Sequence, residues 1–191
     1  MFRLLTIIFL VLFISTTSKS ASIYDLDIEG IKLGESIFKY MKKQAIINEK
    51  KKIISTYTSD RYKRVRYLKS HGYSGNLYFQ MGFHYNKQGK LGRIHGTLDM
   101  RGKTLDQCIG RSLSIIDDIK QKKVNAKIKG NAKKSFKRPD GGKRTLWEMF
   151  LNDGRIRVEC NFPKSNQWAP TLQVAISTRD FENWLINEAY K

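Results

Sequence analysis

TLWEMFLNDGRIRVECNF, residues 145–162, decides the fold of this chain. Asp153-Gly154 in its middle suits a two-residue type I′ hairpin, whose central residues both take φ > 0. Closing the turn there pairs Asn152 with Arg155, Leu151 with Ile156, Met149 with Val158 and Trp147 with Cys160. In that register the large apolar residues other than Leu146 and Phe150 share one face, while Arg155, Arg157 and Glu159 take the other. A one-residue slip destroys the segregation. The stretch therefore reads as an antiparallel hairpin that turns Cys160 toward the core.

The chain holds only one other cysteine, Cys108. It lies in TLDQCIGRSLSIIDDIK, where Leu105, Cys108, Ile109, Ser112, Ile116 and Ile119 fall on one helical stripe, from Thr104 to about Lys123. Thr104 with Gln107 three residues on is a capping box. Two thiols without a CxxC or HxxH companion make a poor metal site. In an oxidising compartment they are most simply one disulfide, Cys108 to Cys160, pinning a helix to a sheet.

Residues 1–20 point to such a compartment. Arg3 gives a positive start, residues 4–14 are apolar except for Thr6, and Ser18 and Ser20 supply small residues at the −3 and −1 positions of a cleavage site. A helix of that length rises about 16 Å, against about 30 Å of bilayer core, which disfavours the rival reading of a retained anchor. Cleavage removes Arg3 and Lys19 and leaves the +19 chain at +17. The expectation is a signal peptide over 1–20 and one periplasmic or secreted domain over 21–191, with no integral membrane segment once the signal is gone.

Within that domain, Ile28, Ile31 and Leu33 alternate imperfectly before a short helix beginning at Ser36, with Ile37, Phe38 and Met41 inward. Residues 53–57 and 62–68 are candidate strands, the second mixing Lys63, Arg64 and Arg66 with Tyr62, Val65 and Tyr67. NLYFQMGFHY and KLGRIHGTLDM flank a turn at Asn86-Lys87-Gln88-Gly89. A four-residue loop pairs Tyr85 with Lys90 and puts Leu77, Phe79 and Met81 with Ile94, Gly96 and Leu98. A three-residue loop pairs Tyr85 with Leu91 and splits that apolar set, so the four-residue loop is expected. Leu172, Val174 and Ile176 alternate as a last strand, and Thr178 caps a terminal helix with Phe181, Trp184 and Leu185 inward. The order helix, four strands, helix, three strands, helix, with short turns between strands, predicts an α+β fold. Its antiparallel sheet has about six or seven strands packed against helices and stapled by one disulfide.

IEGIKLGESIFKYM, the two cysteines placed on a helix and a later strand, and the FENWLINEAY tail resemble a family of small exported, uncharacterised proteins of small-genome marine alphaproteobacteria. The resemblance covers essentially the whole mature chain. It implies no activity, so no catalytic residue is carried over from it.

The compositional break lies at residues 120–144, where eleven Lys or Arg face the single acid Asp140 for a net +10. Gly130, Pro139, Gly141 and Gly142 suggest a long connection or an irregular strand. Lys122, Lys123, Lys127, Lys129, Lys133, Lys134, Lys137, Arg138, Lys143 and Arg144 are the candidate anion-binding residues, aided by the strand at 61–69. Such a run attracts nucleic acid, lipopolysaccharide phosphates or an anionic membrane surface. Against this, Lys outnumbers Arg by 24 to 12, whereas bidentate phosphate recognition favours Arg. Only Phe136 interrupts the run, so a stacking platform is missing.

Chemistry is otherwise sparse. His71 falls in a loop, and His84 and His95 face away from the apolar set as isolated surface residues, with Gln80 rather than His84 opposite His95. Neither a phosphate-binding loop nor a GxSxG nucleophile elbow occurs, and Asp117 and Asp118 point in different directions on their helix. No metal, cofactor or catalytic constellation is indicated. The expected function is a non-enzymatic interaction module working through an envelope protein, with polyanion binding through 120–144 as the alternative and a small hydrolase without a known motif as the second.

Overall fold

The computed structural model describes residues 22–52, 57–121, 130–164 and 168–191. The expected signal peptide and all but Tyr57 of the candidate strand at 53–57 lie outside them. In chain order come β1 (Asp27–Ile28), β2 (Ile31–Lys32), α1 (Lys43–Lys52), β3 (Tyr62–Tyr67), β4 (Gln80–Asn86), β5 (Leu91–Asp99), α2 (Leu105–Gln121), β6 (Gly130–Lys137), β7 (Lys143–Phe150), β8 (Gly154–Phe162), β9 (Thr171–Thr178) and α3 (Arg179–Asn187). Short 3₁₀ turns occupy Ile23–Asp25, Ile37–Lys39 and Lys69–His71. β3 to β9 build one antiparallel seven-stranded sheet in the order β3-β4-β5-β9-β8-β7-β6, and β1 with β2 forms a separate ribbon. The fold is α+β. Two meanders meet where β5 lies beside β9, and α2 carries the chain from that centre to the far edge at β6.

One sheet face holds the main core. Val65, Met81, Phe83, Ile94, Ile156, Val158, Leu172, Val174 and Ile176 are buried there, against Ile23, Ile28, Leu33 and Ile37 from the start of the chain and Cys108 and Ile116 from α2. Cys108 and Cys160 are joined, with their Cα atoms 6.0 Å apart. The capping box forms as read: Gln107 Oε1 accepts from Thr104 N at 2.9 Å, and Thr104 Oγ1 accepts from Gln107 N at 3.2 Å. α3 packs on the opposite face, where Phe181 and Trp184 join Tyr62 in a second cluster. Thr178 Oγ1 caps it by accepting from Phe181 N at 3.1 Å.

Two strand registers differ from expectation, each without disturbing its faces. In β7 and β8, Met149 pairs with Ile156, Trp147 with Val158 and Thr145 with Cys160. Neither Asp153 nor Gly154 has positive φ, so the turn is not type I′. Residues 151–154 form a wider loop in which Leu151 N donates to the Gly154 carbonyl at 2.9 Å. Tertiary contacts explain it. The Asp153 carboxylate accepts from Ile23 N at 3.1 Å and from Ser22 Oγ, and its carbonyl accepts from Arg179 N at 2.8 Å. Gly154 is required for closeness rather than for φ: a Cβ there would overlap the Ser177 carbonyl oxygen. The slip is two residues, an even number, so inward residues stay inward.

In β4 and β5, Tyr85 pairs with Leu91, not with Lys90. Gly89, at φ +78°, closes the three-residue loop. The expected splitting of the apolar set is avoided because Gly92 bulges out of the ladder, after which His84 pairs with Arg93 and Phe83 with Ile94. Leu77 and Phe79 precede β4 and are exposed. Tyr78 goes inward instead and lays its ring over Gly96, where any Cβ would collide with it.

Further corrections fall on the helices. Phe38 is exposed, whereas Ile37 and Met41 are buried as expected. α1 carries no clear apolar stripe in the sequence. It is held by Ile46, which joins the main core, and by Glu49, which is fully buried and accepts from Arg66 Nε at 3.0 Å.

Candidate functional site

Of the ten basic candidates, Lys122, Lys123, Lys127 and Lys129 lie outside the described residues. The remaining six sit on β6, β7 and the turn between them. β6 is not an irregular connection: it pairs regularly with β7 from Gly130 opposite Phe150 to Lys137 opposite Lys143. Strand alternation divides the charges between two faces. Lys134 is tied to Glu148 at 3.2 Å, Arg144 to Glu159 at 2.7 Å and Arg138 to Asp140 at 3.1 Å. Lys133, Lys137 and Lys143 have no ion pair among the described residues. Lys133 Nζ stands 5.6 Å from the Trp147 ring centre. Next to Lys137 and Lys143 a hollow of about 430 Å³ is lined by Leu105, Ile109, Phe136 and Thr145. β3, expected to help this surface, is the other edge of the sheet and cannot share it. Arg66 is committed to Glu49 there, and Arg61 to Glu188 at 2.8 Å.

The α3 side of the sheet is a second polar assembly. Glu148, only 3% exposed, takes Arg155 at 2.8 Å, Arg157 at 3.1 Å and Lys134. Burial by itself pushes this carboxyl up, but the hydrogen bonds from Arg157 and Lys134 and the charges of Arg155 and Arg157 more than offset it, holding it below the ordinary range. Arg155 also reaches Glu182 of α3, whose carboxylate accepts from Ser177 Oγ.

His84 and His95 belong to this assembly and are not isolated surface residues: they are 4% and 3% exposed, with ring centres 6.2 Å apart. Gly82, not Gln80, is opposite His95, and its missing side chain makes room for the imidazole. Phe181 of α3 covers His84 at 4.9 Å between ring centres. Tyr57 Oη lies 3.2 Å from His84 Nε2. Burial, then the charge of Arg93, holds both imidazoles well below their usual range. Arg93 itself is drawn down to about 10, first by burial and then by Arg157, with Glu182 opposing. No group of three or more His, Cys, Asp or Glu among the described residues is placed to hold a metal ion.

A third feature lies on the main-core side. The β1–β2 ribbon stands off from the end of α2, leaving a cleft of about 280 Å³ over Val174 and Ile176 of β9. Ile28, Ile115, Ile119 and Tyr78 complete its apolar wall, and Asp25, Asp27, Glu29, Asp118 and Arg111 stand around it. Glu29 is pinned at the lip: its carboxylate accepts from Leu77 N at 2.7 Å and from Tyr73 Oη.

No protein-family model, curated protein or solved structure matches the chain. The site residues are therefore known by geometry alone. No helix among the described residues is long and apolar enough to cross a membrane.

Sequence reasoning missed the cleft. A signal did exist in DLDIE, where Asp25, Asp27 and Glu29 alternate with Leu26 and Ile28 in a strongly basic chain. Asp118 and Arg111 come from a helix more than eighty residues later, and no local pattern links them to the ribbon.

Proposed function

We propose that this protein is an exported, non-enzymatic interaction module that contacts polyanions through the β6–β7 edge. The observation that carries this reading is the facing pair Lys137 and Lys143, exposed and without an ion pair among the described residues, with Lys133 on the same strand. Like charges directly opposite each other on neighbouring strands cost stability, and an anion between them removes the cost. Lysine also serves to keep an open edge strand from pairing with another chain, which is the competing account of the same residues. The disulfide supports placement in an oxidising compartment.

The test is titration of the mature protein against duplex DNA, heparin and anionic vesicles at two salt concentrations. Three phosphate contacts predict a loss of about 40-fold in duplex affinity between roughly 50 and 200 mM salt. Replacing Lys133, Lys137 and Lys143 together by Glu is expected to abolish binding to all three probes while leaving the fold intact. Absence of binding at low salt refutes the reading and leaves edge protection as the role of these lysines. Determining the N-terminal residue of the exported form tests the signal peptide.

A further inference from the structure

The cleft between the β1–β2 ribbon and α2 is independent of the basic edge, and its chemistry differs. Its floor and walls are apolar, from Ile28, Ile115, Ile119, Val174 and Ile176, and acids predominate around it although the chain carries a net +19. Four carboxylates and one guanidinium surround it. At physiological salt the Debye length is about 8 Å, so the charges lining the cleft weigh most in the potential inside it. Asp25 and Asp27 each spend one oxygen on a backbone amide, of Ser22 and Gly30 respectively, at 2.9 and 2.8 Å. Asp118 has no ion pair or hydrogen bond among the described residues.

A second observation points inward from the wall. Tyr78 is 6% exposed and lines the cleft, and its hydroxyl makes no hydrogen bond among the described residues while keeping contact with solvent. The hydroxyl feels Glu29 and Arg111, the two groups of opposite charge on the cleft's rim, and burial with the Glu29 charge raises it to about 12. A phenol that lines an apolar cleft and keeps its hydroxyl open to solvent can donate to a ligand lodged there.

We propose that this cleft binds a small amphipathic amine, its apolar body against Ile115, Ile119, Val174 and Ile176 and its ammonium among Asp25, Asp27 and Asp118, within reach of the Tyr78 hydroxyl. The volume equals about nine waters at roughly 30 Å³ each, which suits a ligand of about ten heavy atoms with a dissociation constant between about 10 µM and 1 mM. A hydrophobic acid paired with Arg111 alone is the opposite outcome, and the excess of carboxylates argues against it.

Phenylbutylamine, phenylbutanol and phenylbutyrate share a body and differ in the head group. Titrating each into the full mature chain, followed by NMR shifts and calorimetry, is expected to show the amine binding at least about tenfold more tightly than the alcohol, with the acid weakest. Asp118→Asn should reduce that preference several-fold. Tyr78→Phe should weaken the amine and leave the alcohol ranking below it. Ile115→Trp, which fills the cleft from a half-exposed position, should abolish binding of all three without unfolding the chain. Equal affinity for amine and alcohol, preference for the acid, shifts elsewhere on the protein, or undiminished binding to the filled variant overturns the proposal.

Discussion

Removing the disulfide tests the architecture most directly. The bridge joins α2 to β8 across 52 residues of sequence. Loop-closure entropy for a ring of that size corresponds to about 4 kcal/mol at room temperature in the chain-entropy account. For a domain of this length each kcal/mol moves the melting temperature by about 2–4 °C, so the double variant Cys108→Ala with Cys160→Ala should melt about 8–16 °C lower. Ser112 Oγ donates to the Cys108 carbonyl at 2.9 Å and lies 3.1 Å from Cys160 Sγ, so the site is buried and closely packed around the bridge. The assay is thermal unfolding by circular dichroism of the oxidised protein, the reduced protein and the variant, with thiol titration to confirm each state. Reduced protein and variant should coincide and both should fall below the oxidised form. A drop smaller than about 2 °C refutes the reasoning, because packing alone would then hold α2 against the sheet.

Acid should destabilise the α3 side before it affects the carboxylates. His84 and His95 are buried as neutral rings with lowered pKa, so below the ordinary imidazole value the unfolded chain takes up protons that the folded chain refuses. Stability from this source is complete above about pH 6.5 and is lost as pH falls, by at most about 4 kcal/mol for the pair between about pH 7 and pH 5. Urea midpoints across that range check it, and a flat profile contradicts the burial of the pair. Two glycines should respond with opposite signs. Gly154→Ala drives a methyl into the Ser177 carbonyl oxygen and should cost about 1–3 kcal/mol, whereas Gly110→Ala, in open space on α2, should gain about 0.5–1 kcal/mol in the same melting assay.

The candidate site was legible only in part. Composition identified residues 120–144 as basic, but alternation along β6 sends Lys134 to one face and Lys133 and Lys137 to the other, so the charges do not form one patch. Glu148, Glu159 and Asp140 then neutralise half of the described candidates. His84 and His95 looked solvated because their alternation places them off the main core, and nothing local announces that Phe181 will cover them.

Sequence by itself determined which side of β5, β7, β8 and β9 faces the core, the two helix caps and the partnership of Cys108 with Cys160. These follow from a period of two, from side chains meeting amides three residues away, and from there being only two thiols to join. Tertiary structure decided the registers, the burial of the histidines, the seat of α1 and the acidic cleft. A hairpin can shift by two residues without changing its faces, so the choice passes to whatever packs on the turn. At residues 151–154 that is Ser22, Ile23 and Arg179, each brought there from elsewhere in the chain.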